Sequence, residues 1–239
     1  MTSIVKLPSF LSNLNNRDRW VVNELRKLSY GTTLLDAGAG ECRYKPWCRK
    51  LIYKSQDFGK YDGQGDRKGM QMGSWDNSKL DIVSDITDIP VEDASFDTVL
   101  CTEVLEHIPY PDQAIKEISR ILKSGGKLIL TAPFQSMTHF APFHFCTGFN
   151  IYWYKKILAN NGLEIISSNR NGNYFDCLCQ ELVRSPLVLK KYSKIGLLSY
   201  LLYLATIPTI VLLYLMSKLT NGSDEQMTFG YHILAKKRR

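Results

Sequence analysis

Apolar and polar positions in this chain alternate between two rhythms. Near the start, Phe10, Leu11, Leu14, Trp20, Val21, Leu25 and Leu28 recur at helical intervals and stop before Gly31, which predicts an N-terminal helix covering a sheet. Short apolar runs follow. One ends in Leu34-Leu35 and suits a strand buried on both faces; the next is Leu51-Ile-Tyr53, leading to Asp57. Asp81-Ile-Val-Ser-Asp85 reads as a short strand stopping at a loop acid. Phe96-Asp-Thr-Val-Leu-Cys101 reads as a fourth strand, followed at once by Thr102-Glu-Val-Leu-Glu-His-Ile108. Ala114, Ile115, Ile118, Ile121 and Leu122 form a helical stripe, and Ser124-Gly-Gly126 predicts a left-handed glycine stop after it. Lys127–Thr131 is the fifth strand, Asn150–Asn161 a helix closed by Gly162, and Leu163–Ile166 the sixth strand. The polar stretch from Gly59 to Asp81, with Gly63, Gly65, Gly69 and Gly73, reads as a surface loop.

This alternation of strand and helix implies a Rossmann-like, doubly wound α/β sheet, and ligands in such sheets bind beyond the carboxyl ends of the strands. Asp36, Asp57, Asp85 and Thr102 all fall at such ends. The length of 239 residues allows one such domain with an insertion. Six cysteines contain no C-x-x-C pair, so metal-ligand spacing is absent, a disulfide framework is not expected, and a reducing cytoplasm is. The N-terminus lacks the charged, apolar and small-residue succession of a secretion signal. A formal charge of +7 leaves nucleic acid and acidic lipid both open until the positions of the charges are considered.

The segment richest in chemistry is Leu34-Leu-Asp-Ala-Gly-Ala-Gly40, with Asp57 following twenty-one residues after Asp36. Alternating glycines let the backbone turn sharply and approach a ligand where a Cβ would collide. A carboxylate at the end of the second strand suits ribose hydroxyls. A dinucleotide turn needs G-x-G-x-x-G, and Arg43 stands at the third position here. A D-x-G-x-G turn instead suits a cationic, phosphate-free ligand such as S-adenosylmethionine, whose α-ammonium end Asp36 can serve directly or through water.

Four segments in order carry a resemblance: the glycine turn, Asp85-Ile-Thr-Asp-Ile-Pro90, Ser95–His107, and Ile121-Leu-Lys-Ser-Gly-Gly-Lys-Leu-Ile-Leu-Thr-Ala-Pro133. Together they resemble the class I S-adenosylmethionine-dependent methyltransferases. The chain looks most like the type 11 branch that includes ubiquinone and menaquinone biosynthesis enzymes and methyltransferases of surface-polysaccharide gene clusters. The resemblance covers roughly residues 30–170, with a return at Thr228–Lys236. It implies that Gly38 and Gly40 pass under the methionine moiety, with Asp36 and Ala37 among the cofactor-binding residues of the same turn, that Asp57 meets the ribose, and that Asp85 meets the adenine amino group with Ile86 on the ring. Thr102 and Glu103 would line the cleft near the methyl donor. Cys42 departs from the pattern, standing where many relatives carry a third glycine. The implied activity is methyl transfer; a methyltransferase fold that binds cofactor or partners without catalysis is the alternative.

Methyl transfer from a sulfonium is an in-line displacement driven largely by alignment, with no metal required. A hydroxyl acceptor still needs a base, for which His139 and His144, in a loop with three phenylalanines after the fifth strand, are candidates. His107, within a helical pattern, reads as structural. A nucleic-acid acceptor is not expected: Cys101-Thr-Glu-Val replaces the Asn/Asp-Pro-Pro-aromatic sequence of the adenine amino-methylating enzymes, and the basic residues gather beside an apolar tract. That tract, Ile195–Ser217, has 23 residues without a charge between Lys194 and Lys218. As one helix it would reach about 34 Å, enough to span the roughly 30 Å hydrocarbon core of a bilayer. Phe229–Lys236 looks like the antiparallel last strand that relatives insert into the sheet, which a crossing helix would strand on the wrong side. Pro208 is expected to break the tract into a helix pair that dips into, or lies along, the cytoplasmic leaflet. The expected organisation is a cap over 1–30, a cofactor domain over 31–183 and 226–239, and a membrane-associating apolar insertion over 184–225. The acceptor is then a small molecule or a lipid-linked glycan or isoprenoid quinone.

Overall fold

The computed structural model describes residues 9–194 and 196–239. Two compact units emerge, Arg17–Asn169 with Gly230–Arg239, and Met1–Asn16 with Arg170–Phe229. Seven strands, β1 (Thr33–Ala37), β2 (Ile52–Asp57), β3 (Ile82–Val83), β4 (Phe96–Thr102), β5 (Leu122–Pro133), β6 (Leu163–Asn171) and β7 (Gly230–Lys237), form one sheet in the order β3-β2-β1-β4-β5-β7-β6. Strands β1 to β5 pair in parallel, and β7 runs antiparallel to β5 from Lys127↔Lys236 to Pro133↔Gly230. The mostly parallel Rossmann-like sheet with an antiparallel last strand is the one the residue pattern predicts.

Successive residues point to opposite faces of a strand, and the core divides accordingly. Leu35, Val99, Cys101, Leu128 and Leu130 pack with the stripe of α2 (Pro111–Ile121) and with Tyr154 and Leu158 of α3 (Ile151–Asn160). Leu34, Leu100 and Ile129 pack on the other side with Val21, Val22 and Leu25 of α1 (Asn13–Arg26). Helix α3 starts where the Asn150 side chain accepts the Tyr152 and Trp153 N–H groups, an ordinary N-cap.

The end of α2 differs from the expectation. Leu122, extended at φ −73° and ψ 136°, caps the helix and opens β5 directly. Gly125, at φ +76°, lies in a register shift where pairing moves from Phe96↔Leu122 to Thr98↔Lys127. Burial of Leu122 and Phe96 draws the chain into the sheet before the glycines are reached.

The second unit contains a helix that apolar periodicity did not reveal, α4 (Tyr174–Tyr192), and the apolar tract as α5 (Gly196–Leu219). Ile195, the first residue of the tract, lies outside the described residues. Asn173 and Asp176 at the start of α4 bond Ser217 near the end of α5, while Cys179 bonds the Ile210 carbonyl, so the two helices run antiparallel. Pro208 does not break α5, contrary to the expected helix pair within the tract. Proline removes one N–H donor and crowds the turn before it, and the turns on either side keep their own bonds. Between Leu201 and Leu219 the helix is long and apolar enough to cross a membrane, with a mean hydropathy of 1.6 and 11% of its positions buried.

Candidate active site at the carboxyl ends of the strands

The carboxyl ends of β1, β2, β4 and β5 bring the sequence-predicted residues to one edge of the sheet. At the β1 turn, Gly38 and Gly40 have φ of +74° and +50°. A Cβ on Gly38 would lie 2.3 Å from Val104, and one on Gly40 would lie 2.5 Å from the Trp75 ring. Both positions therefore need glycine for conformation and for space. Cys42, where the resemblance implies a third glycine, is itself left-handed at φ 58°, so the backbone keeps the glycine conformation without the residue. Arg43 is ion-paired with Asp18 on α1.

Asp57 closes β2 and accepts hydrogen bonds from the Gly40 N–H (3.1 Å) and the Gly59 N–H (2.9 Å). Burial pushes its pKa up, and these two N–H groups oppose the shift. The carboxylate thus ties the β1 turn to the end of β2 at the edge where a ribose could bind. Asp36 points elsewhere: it is fully buried, accepts the Tyr53 hydroxyl at 2.8 Å, and is pushed up to about 7 by desolvation. Its side chain supports the turn from below, and any service to an ammonium group would run through the turn. Ala37 is buried beneath the same turn. Asp85 is exposed, with its carboxylate bound to the Thr87 N–H and hydroxyl, while Ile86 is 3% exposed and packs in the core.

Thr102 ends β4 in register with Thr131. Glu103 follows at φ 53°, a strained conformation for this residue type, held by its N–H to the Thr131 carbonyl. Its carboxylate accepts the Thr131 hydroxyl and pairs with Arg17 of α1 at 3.1 Å. Arg17 had no place in the sequence reading. It is a half-buried cation that could meet the carboxylate of an amino-acid ligand, and only the folded position of α1 reveals it.

The loop after β5 gathers three histidines. His139 and His144 have ring centroids 4.8 Å apart, and His107 lies 4.7 Å from His139 and 6.0 Å from His144. His107 Nδ1 contacts the Phe143 carbonyl at 2.5 Å, His139 Nδ1 the Met137 carbonyl at 2.8 Å, and His144 Nε2 the Ser136 hydroxyl at 3.1 Å. Desolvation brings His107 down to about 3 and lowers His144, so both rings are neutral near pH 7 and keep a nitrogen lone pair. Glu106, one residue before His107, is fully buried and raised well above the usual carboxylate range by desolvation and by the nearby Glu103 charge. His107, expected to be a structural or capping side chain, stands beside these two rings.

Residues 59–81 are more than a surface loop. Asp66 and Met70 N–H groups bond the Ala141 and Thr138 carbonyls, and the Phe140 N–H bonds the Met70 carbonyl. Phe140 stacks on Tyr61 (4.4 Å) and on His107 (5.1 Å), with Trp75 edge-on at 5.2 Å. The loops after β2 and β5 therefore close over the carboxyl ends together. Tyr61 and Trp75, large aromatics in an otherwise polar loop, hint at a packing partner but not at which one. A separate cavity of about 390 Å³, lined by residues such as Thr33, Lys54 and Glu92, opens at the amino ends of the strands, away from this chemistry.

Residues 35–130 match the family described as a methyltransferase domain. Among curated proteins, the chain is 39% identical over 66 residues to a sterol 4-C-methyltransferase of Caenorhabditis elegans, covering 28% of this chain and 20% of that one. It is 46% identical over 50 residues to a ubiquinone biosynthesis O-methyltransferase of Xanthomonas oryzae, covering 20% and 21%. The chain thus spans about a fifth of the length of these relatives. A solved S-adenosylmethionine-dependent methyltransferase from Archaeoglobus fulgidus shares the fold at a TM-score of 0.56 and 15% identity, over 95% of each chain.

Proposed function

We propose that the chain, whose residues 35–130 match a methyltransferase domain, is a class I S-adenosylmethionine-dependent methyltransferase that methylates a small-molecule or lipid-linked acceptor at the cytoplasmic face of a membrane. The glycine turn, Asp57 and Asp85 hold the nucleoside and amino-acid ends of the cofactor, which supplies an electrophilic methyl. Arg17, Thr102 and Glu103 border the donor end. The aromatic closure of Tyr61, Trp75 and Phe140 excludes water and aligns the acceptor, the main source of rate in a displacement of this kind. His139 or His144 would take the acceptor proton as the oxygen–carbon bond forms and the methyl–sulfur bond of the sulfonium breaks, leaving a neutral thioether.

The observation that carries the membrane part is the apolar surface of α5. Leu204, Leu212 and Leu219 are 62%, 58% and 83% exposed, and Lys190, Lys191, Lys194 and Lys218 flank the helix. A soluble surface rarely carries so large an apolar patch. Because β7 pairs with β5, a single crossing by α5 would place β7 on the wrong side of the bilayer, so α5 lies along the leaflet or re-enters it. Each lysine near anionic headgroups adds about 1 kcal/mol. The acceptor is then a polyprenyl-linked sugar or an isoprenoid quinone. The curated relatives named for ubiquinone and sterol methylation support an apolar acceptor.

Radiolabelled methyl from the cofactor, incubated with the protein and a membrane lipid extract, should appear in the organic phase. Transfer only into water-soluble acceptors would remove the lipid part. Recovery in the supernatant after low-salt fractionation without detergent would remove the membrane part. The second reading, a catalytically silent cofactor-binding or scaffold protein, is favoured by the Trp75 ring standing against Gly40; absence of both cofactor binding by isothermal titration and transfer would establish it.

A further inference from the structure

We propose that Glu106, His107 and His139 form a binding site for one divalent transition-metal ion of the zinc type. Glu106 and His107 stand in a short 3-10 turn, Leu105–His107, just beyond β4, and His139 in the loop beyond β5, so adjacent strand ends deliver them to one point. One donor atom from each lies within 4.8 Å of the other two. His107 Nε2 is 3.7 Å from Glu106 Oε1. Zinc-type ions hold nitrogen and oxygen donors at about 2.0–2.2 Å, which places tetrahedral neighbours about 3.4 Å apart.

Two further observations point to a cation. The Glu106 side chain is 1% exposed, and its Oε2 has no hydrogen-bond partner. Ionised, that oxygen lacks a donor; protonated, it lacks an acceptor. A cation resolves both cases. Each imidazole also sets its Nδ1 against a backbone carbonyl, Phe143 for His107 and Met137 for His139. This arrangement directs Nε2 to a metal and fixes the tautomer in metalloprotein histidines. Two imidazoles and a carboxylate suit zinc, iron, nickel or manganese over calcium or magnesium.

Three protein donors leave a coordination position open, the mark of a site that takes substrate as well as metal. The site sits in the acceptor region, so it favours acceptors bearing an ionisable oxygen, such as a phenol or sugar hydroxyl. With the metal bound, His139 serves as ligand and His144 remains as the proton acceptor beside it. The metal site stands whether or not the acceptor is lipid-borne.

The test uses the full chain, stripped with a chelator and titrated with cobalt(II) alone. One equivalent should bind with a visible ligand-field absorption typical of low coordination number, and zinc(II) should displace it. Glu106→Gln, which keeps the shape of the side chain, and His139→Ala, in a loop, should each weaken cobalt binding by more than about a hundredfold. Isothermal titration with S-adenosylmethionine, run on the same variants, checks folding and should give unchanged affinity. Absence of cobalt binding by the native chain, or binding that survives both substitutions, would overturn the site. Retained cobalt binding with no cofactor binding would sink the methyltransferase reading and leave the metal site standing.

Discussion

The turn after β1 and the histidine cluster after β5 lie at the same edge of one sheet, yet they are built differently. The turn is backbone: Gly38 and Gly40 adopt positive φ within a continuous heptapeptide, and the side chains that tie their N–H groups, Gln56 and Asp57, stand together at the end of the neighbouring strand. The cluster is side chain: Glu106, His107, His139 and Phe140 arrive from two loops, and a third loop, bearing Tyr61 and Trp75, locks them. A backbone site fails when a single residue acquires a Cβ. A side-chain site loses its parts gradually. The first kind serves a ligand common to a whole family, and the second can be altered for each acceptor.

The largest effect expected from this difference is at Gly40. Gly40→Val puts a β-branched residue at φ +50° with its Cβ 2.5 Å from Trp75. Strain and overpacking together amount to more than about 4 kcal/mol, so cofactor affinity should fall by about a thousandfold or more. Isothermal titration reads it directly, and near-native binding would show that the turn is not where the cofactor rests. Next comes Asp57→Ala, which deletes the acceptor for two backbone N–H groups. A loss of about 3 kcal/mol, near a hundredfold in cofactor affinity, is expected. Asp85→Ala, at an exposed carboxylate, should cost less, and an equal loss would mean that side chains matter as much on the cofactor side as on the acceptor side.

The same contrast explains what could be read from the residues alone. The placement of Asp36 to Gly40 and Asp57 at strand ends, and of Asp85 in the loop after β3, was legible because its signal is local, a run of apolar residues ending in a special turn. The order of strands was legible because each apolar run alternates with a helical stripe. The aromatic closure was not, since Tyr61 and Phe140 are nearly eighty positions apart and the glycines between them suggested only a loop. His107 looked structural for the same reason: its neighbours His139 and His144 meet it only through tertiary folding. Arg17 and Glu103 pair across 86 positions, beyond the reach of any local pattern. Pro208 misled in the opposite direction, because a local rule about proline was applied to a helix whose length on either side outweighs it.

Phe140 offers a sharper test of the side-chain half. Phe140→Ala removes one stacked and one edge-on aromatic contact and the ring over His107. At about 0.5–1.5 kcal/mol per aromatic pair, the two loops should lose about 2 kcal/mol of local stability. Amide hydrogen exchange in residues 61–75 and 137–144 should then speed up by about thirtyfold, while protection of β1 and β4 stays unchanged. Slower loss in the loops than in β1 would mean that the closure is not held by these rings.

The smallest effect tests whether a histidine near the donor end behaves like those of the cluster. His232 on β7 stacks on Trp20 at 5.1 Å, opposite Thr131 in the register. Burial brings its pKa down to about 4, a shift that the Glu103 charge opposes. Between that value and the ordinary histidine value near 6.5, the unfolded chain binds a proton that the folded chain refuses. The stability this group contributes is therefore complete above about pH 6.5 and declines as pH falls towards 4, by about 1.4 kcal/mol at about pH 5.5. His232→Gln should flatten that part of the acid limb when urea midpoints at about pH 7.5 and about pH 5.5 are compared. Stability of the native chain that instead rises on acidification across this window would place the proton on the folded imidazole. In that case the Glu103 carboxylate, and not burial, would govern the donor end of the cleft.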